Sequence, residues 1–197
     1  MMPPPDTTRR TIPRRRAIQT LTLAVLMLAG VRLGAAPRPG AGEYAVKATF
    51  LWNFTRFVEW PATAFTTPAS PFVVGVLGKD PFGSNLAEVF KGETVQDHPV
   101  RLKAMKDGDD LKQCHILFIA ASEKERAGEL LAKMKGAPVL TVSEMDRFGQ
   151  RGGLVNFYKD GGVTKFEINL NALKATGFNA KAQLLRLARI VGSDTKD

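Results

Sequence analysis

FVVGVLGKDPFGSNLAEVF, residues 72–90, passes from an unbroken apolar run through a glycine-rich turn into a helix-like stretch. Phe72 to Leu77 carries no polar side chain, so neither face of the strand it forms is meant for water. That is the character of a buried parallel strand. Asp80-Pro81 predicts a helix start, with the aspartate as N-cap and the proline at the first helical position. NLAEVF carries that helix and Gly92 closes it. Strand, turn and helix in succession make the unit from which parallel sheets are wound.

The unit recurs downstream. HPVRLKAM predicts a short strand around Val100 to Met105, and HILFIA, His115 to Ala120, a second fully apolar one. Ser122 and Glu125 have the spacing of a capping box for a helix reaching about Lys135, with Gly136 where a C-terminal glycine belongs. PVLTV supplies a third apolar strand. LVNFYK and VTKFEI flank Asp160-Gly161-Gly162 and read as an antiparallel hairpin. Two helices close the chain, Asn171 to Thr176 ended by Gly177, and Ala180 to Val191. The fold class is α/β: a mostly parallel sheet with a C-terminal antiparallel hairpin and helices on both faces.

Upstream, the first 36 residues read as an export signal. Arg9, Arg10 and Arg14-Arg15-Arg16 precede the uncharged run AIQTLTLAVLMLAG, and Gly34-Ala35-Ala36 offers small residues for cleavage after Ala36. The run is short for a membrane span, and Arg32 interrupts it, which disfavours an uncleaved anchor. Arg15-Arg16 admits a twin-arginine route beside the general one. Residues 37–42 are a Pro/Gly linker, 43–191 the folded domain, and 192–197 a polar tail. Without residues 1–36 the chain has six arginines and one aspartate fewer, and its formal charge falls from +9 to +4. The basicity is mostly targeting sequence. No stripe of Lys and Arg interleaved with aromatics remains, which excludes nucleic acid as a partner.

Chemistry-bearing motifs are few. GKDPFGS, Gly78 to Ser84, has the glycine spacing of a phosphate loop, but Ser84 directly follows Gly83, with no Lys between them to reach the outer phosphates. Its bland reading is a tight turn; Gly78, Asp80, Gly83 and Ser84 are also the candidate ligand loop, since open α/β sheets bind at strand ends. Cys114, the only cysteine, cannot form an internal disulfide and reads as a core residue at a strand start. Cys114 and His115 are neighbours on a strand, so they point to opposite faces and do not pair as nucleophile and base. Asp107, Asp109 and Asp110 lack the closing Glu of a calcium loop. No catalytic residue, metal or cofactor is expected.

EYAVKATFLWNFTRFVEWP, residues 43–61, holds six of the sixteen aromatic residues. It predicts a helix ended by Pro61. At roughly 100° per residue its apolar positions span an arc of roughly 240°, against the ~100° needed to dock on one core. Tyr44, Ala48, Leu51, Thr55 and Val58 form the centre. Phe50, Phe57 and Val46 lie on one flank and Trp52 on the other. Lys47 and Glu59 are set singly into the arc. Surplus rings on one element mark an interaction site, so Phe50, Trp52, Phe54, Phe57 and Trp60 are interface candidates. The stretch from Phe148 to Phe157 could extend that surface.

Taken in order, YAVKATFLWNFTRFVEWP, VVGVLGKDPFG, CHILFIA, VLTVSE, GGLVNF, KFEINLNAL and LLRLARIV resemble the YfiR/HmsC-type periplasmic proteins across nearly all of residues 43–191. The resemblance implies a single-domain Rossmann-like α/β fold, a homodimer, and a signalling role without catalysis. It further implies repression of an inner-membrane diguanylate cyclase through that enzyme's periplasmic portion, with control of cyclic di-GMP and biofilm formation. The alternative is a periplasmic small-ligand sensor, or an adaptor linked to a sensor kinase or transport system. Some members carry a disulfide in the region matching residues 143–156. This chain has no cysteine there, so that redox control does not carry over.

Overall fold

The computed structural model describes residues 41–192. The export signal, residues 37–40 of the linker and residues 193–197 lie outside the described residues. Helix α1 spans Ala41–Phe57, so the last two linker positions are already helical. The strands in chain order are β1 (Val58–Glu59), β2 (Phe72–Leu77), β3 (Thr94–Val95), β4 (His98–Met105), β5 (Ile116–Ile119), β6 (Leu140–Ser143), β7 (Val155–Asp160), β8 (Val163–Asn169), β9 (Asn179–Ala180) and β10 (Arg189–Val191). The remaining helices are α2 (Asn85–Val89), α3 (Ala127–Met134), α4 (Leu170–Ala175) and α5 (Ala182–Leu187).

Eight strands form one sheet in the order β3-β4-β2-β5-β6-β7-β8-β10. Strands β4, β2, β5, β6 and β7 run parallel, β8 is antiparallel to β7, and β10 is parallel to β8. The chain builds outward from β2 to β4, then crosses back to place β5 on the other side of β2. This reversal makes the carboxyl ends of the strands a natural crevice.

Period-two alternation divides the apolar strands between two layers. Phe72, Val74 and Val76 pack with Phe118 under α1, α2, α4 and α5. Val73 and Leu77, with Leu117 and Ile119, face α3 through Leu130, Leu131 and Met134. Both faces are covered, which is why the central strands carry no polar alternation. Packing is tight at Gly75, where an added Cβ would lie 2.6 Å from Cys114 Sγ and 2.9 Å from Met105 Cγ. The hairpin turns on Gly161 and Gly162, at φ 57° and 81°, and pairs Asp160 with Val163. Two consecutive positive φ values suit a two-residue turn that follows the strand twist.

Several boundaries differ from the expected ones, each for a local reason. Helix α1 stops at Phe57 rather than running to Pro61, because β1 pairs with β9 and Lys181 N–H donates to the Phe57 carbonyl. The helix expected from Asp80-Pro81 begins only at Asn85. Asp80 Oδ1 instead accepts from Phe82 N–H at 2.8 Å, a local turn, and Gly83 at φ 59° interrupts the path. Ser122 does not cap a helix with Glu125. Its hydroxyl accepts from Lys79 N–H at 2.9 Å and a 3-10 turn fills Ala121–Arg126 before α3 begins. The last expected helix is split: α5 ends at Leu187, and Arg189–Val191 joins β8 as a strand.

Candidate functional site

Helix α1 lies across the sheet with its rings spread over three neighbours. Phe54 stands over Phe157 and Phe166, with ring centroids 6.0 and 5.2 Å away, and Phe50 is 5.2 Å from Phe166. Tyr44 and Trp52 meet α2 and its approach edge-on, through Phe82 and Phe90 at 5.6 Å each. Just beyond the helix, Trp60 sits between Phe72 and Phe178 and donates its indole N–H to the His115 carbonyl. The wide apolar arc is therefore largely spent inside this fold.

Two of the five interface candidates are accordingly corrected. Phe54 and Trp60 are buried and have no surface to offer, and the same holds for Phe148 and Phe157. Phe50, Trp52 and Phe57 keep partly exposed edges, and Val46 beside them is 46% exposed. Val46, Phe50, Asn53 and Phe57 follow one another at helical spacing and form a stripe along α1.

The candidate loop residues are tied into their own turn. Gly78 has φ 91° and no room for a side chain against Ser122 and Glu123. Asp80 holds Phe82 N–H, and the Ser84 hydroxyl donates to Glu88 at 2.6 Å. Gly83 contributes its left-handed conformation alone.

The most polar interior lies elsewhere, around the carboxyl end of β6, and sequence reasoning did not assemble it. Lys47 is only 4% exposed, although it carries a charge. Its ammonium donates to Glu43 at 2.5 Å and to Glu144, the residue after β6, and lies 4.6 Å from the centroid of the Tyr44 ring. Tyr44 donates its hydroxyl to Glu144 at 2.9 Å, and Lys159 reaches Glu43 at 2.7 Å. Burial alone would raise the Glu43 carboxyl, but hydrogen bonds from Lys159 and Lys47 outweigh it and hold the group below the usual carboxylate range. Burial and the Glu144 carboxylate push the Tyr44 phenol well above its ordinary value, so it remains a donor.

A second polar row crosses β7, β8 and β10. Asn156, Glu167 and Arg189 sit side by side in register. Asn156 Nδ2 donates to Glu167 Oε1 at 3.3 Å, and Arg189 donates twice to Oε2 while its guanidinium lies 3.9 Å from the Tyr158 ring centroid. Asn156 Oδ1 is buried and has no hydrogen-bond partner among the described residues. The two polar groups meet in a cleft of about 510 Å³, whose wall also includes Asp146, Arg147 and Gln150.

The two histidines belong to a separate, aromatic pocket at the opposite ends of the strands. His115 lies against Phe65 and Phe72, and its Nδ1 accepts from Val73 N–H at 3.0 Å. Burial holds its imidazole down at about 4. His98 stacks on Phe65 with centroids 3.9 Å apart. Cys114 faces the α3 layer, on the other side of the sheet from His115, and burial pushes its thiol up to about 12. Among the described residues no group of three or more His, Cys, Asp and Glu side chains is arranged to hold a metal ion, and no helix is long and apolar enough to cross a membrane.

The family model described as YfiR/HmsC-like matches residues 44–189, from the first turn of α1 to the first residue of β10. The match thus takes in both layers, all of the sheet but the last two residues of β10, and both polar groups apart from Glu43. The chain belongs to the YfiR/HmsC-like family, in general terms a family of periplasmic regulators of cyclic di-GMP signalling.

Proposed function

We propose that this chain is an exported, non-catalytic repressor that holds the periplasmic portion of a membrane diguanylate cyclase inactive and works as a homodimer. The observation that carries the reading is the family match over residues 44–189. The chemistry of the interior supports the non-catalytic part. Cys114 is sealed with a raised pKa, and the His115 ring spends Nδ1 on a backbone N–H. The chain reversal beside β2 supports the Rossmann-like description of the sheet. The α1 stripe of Val46, Phe50 and Phe57 is the contact surface this reading favours, because partly exposed rings at a rigid helix are efficient anchors.

The experiment is genetic and biochemical together. Deleting the gene should raise cellular cyclic di-GMP, and the wild-type chain should restore it. Affinity capture from detergent-solubilised envelopes should recover a membrane protein with a cyclase domain. Unchanged cyclic di-GMP on deletion would reject the output, and recovery of a sensor kinase instead would redirect the partner.

A further inference from the structure

We propose that the outer edge of β4, around Leu102 and Ala104, takes an extended acidic peptide as an added strand. This inference concerns a different surface from the α1 stripe and does not rest on the cyclase reading.

The backbone of β4 is the starting point. The strand has eight residues, but β3 pairs only with His98 and Pro99 on its outer side. The last outward bond runs from Val100 N–H to the Glu93 carbonyl at 3.2 Å. The neighbouring chain then turns at Gly92, at φ 73°. Peptide groups alternate in direction along a strand, so those of Leu102 and Ala104 point outward like that of Val100. The inner side agrees. The Val73 and Leu77 carbonyls of β2 accept from His115 and Ala120 N–H, which leaves the even-numbered residues of β2 to bond the odd-numbered ones of β4. Among the described residues no strand or turn pairs with the outward N–H and C=O groups of Leu102 and Ala104, and both residues are exposed. Open donors and acceptors alternating at strand spacing are what a further strand satisfies.

The side chains select which strand. Leu102 and Ala104 stand on one face of the edge, Arg101 and Lys103 on the other. Leu102 is 37% exposed, so its face suits an apolar neighbour. Arg101, Lys103 and the following Lys106 form no ion pair among the described residues. Lys103 Nζ donates to the neutral Gln113 side chain at 3.2 Å. No acid occurs between His98 and Lys106. The acids that follow are engaged: Asp107 with Arg126, Asp109 with Lys106 N–H and Asp110 with Lys112 N–H. A strand reading acid, apolar, acid therefore sets opposite charges beside Arg101 and Lys103 and an apolar side chain beside Leu102, pairings that stabilise adjacent strands. A second copy of β4 fits worse. Antiparallel pairing centred on Leu102 sets Arg101 opposite Lys103, and centring on Lys103 sets that cation against itself.

The test is fluorescence anisotropy of a short fluorescein-labelled peptide of alternating glutamate and valine, titrated with the full chain. From so short an edge a Kd on the order of 0.1 mM is expected. The same peptide with lysine in place of glutamate should bind about tenfold more weakly or worse. N-methylating the alternate amides that face β4, those of the valines in an antiparallel strand, should abolish binding; methylating the other set should not. Leu102→Pro removes an outward N–H, leaves the β2 ladder its donors, and should also abolish binding. If that variant does not fold, the double variant Arg101→Glu, Lys103→Glu keeps the backbone and should reverse the preference toward the lysine peptide. No saturable binding, equal binding of the two peptides, methylation effects that ignore which set is modified, or an unchanged preference in the charge-reversed variant would overturn the proposal. Dimerisation that Leu102→Pro dissolves, without peptide binding, would overturn it too and give the edge to a second copy.

Discussion

Asn156 and Glu167 face each other across β7 and β8, amide nitrogen to carboxylate oxygen at 3.3 Å, and Arg189 closes the row from β10. The three side chains differ in their access to water, and that difference decides what each contributes.

Removing the cation should hurt more than removing the acid. Glu167 is buried, whereas the Arg189 side chain is 54% exposed. Arg189→Met leaves a buried carboxylate with one amide for company and should cost about 3 kcal/mol. Glu167→Gln leaves a guanidinium that can turn to solvent and should cost nearer 1 kcal/mol. Urea unfolding of the two variants measures the order; a larger loss in Glu167→Gln would contradict it.

Acid should weaken the fold before carboxylates begin to titrate. His115 titrates at its ordinary 6.5 when unfolded and at about 4 when buried. Between those values the unfolded chain binds more protons, so stability is full above 6.5 and declines as pH falls toward 4. The expected loss from pH 7.5 to pH 5 is about 2 kcal/mol. His115→Gln, which retains an acceptor for Val73 N–H, should flatten this slope. Glu43 acts at lower pH: its depressed carboxyl contributes stability above 4.5 that is lost as pH falls further.

Gly75 should tolerate no side chain. Gly75→Ala places a methyl group 2.6 Å from Cys114 Sγ and should destabilise by about 1–3 kcal/mol. Combining it with Cys114→Ala should recover part of the loss, because the sulfur is the nearest obstruction. Thermal denaturation of the singles and the double gives the coupling, and strictly additive losses would show that the clash is relieved elsewhere.

Stability and docking should separate along α1. Phe54→Ala empties a site enclosed by Phe157 and Phe166 and should cost about 3–5 kcal/mol. Val46→Glu lies on an exposed position and should change stability by no more than about 0.5 kcal/mol. If the stripe is the contact surface, Val46→Glu nevertheless lowers recovery of the membrane partner. Undiminished recovery would move the contact off α1.

The central strands were legible because full burial leaves an unmistakable trace: FVVGVL and ILFI have no polar residue to place outward. The helix starts were not, because Asp80 and Ser122 have cap-like spacing but spend their oxygens on tertiary or turn partners. The number of rings on α1 was legible, but most of them are spent inside the fold rather than left over for a partner. Sequence shows how many rings there are, whereas Phe82, Phe90, Phe166 and Phe178 come to meet them only through long-range folding. The polar cleft left two signals that went unused. Lys47 stands alone in an apolar arc, four residues after Glu43. Once the Gly161-Gly162 turn is seen, counting five residues outward from each glycine places Asn156 opposite Glu167. Arg189 could not be added that way, since its stretch reads as helix and folds as strand.

That last strand has a protective consequence. Strand β8 is seven residues long, and among the described residues only the three of β10 line its outer side. A chain shortened before Arg189 would bare the hydrogen-bonding groups of β8 along a hairpin stiffened by its neighbours, an open template for a second molecule. Loss of a handful of terminal residues would then be felt first as self-adhesion into fibrils or precipitates, well before any loss of the core.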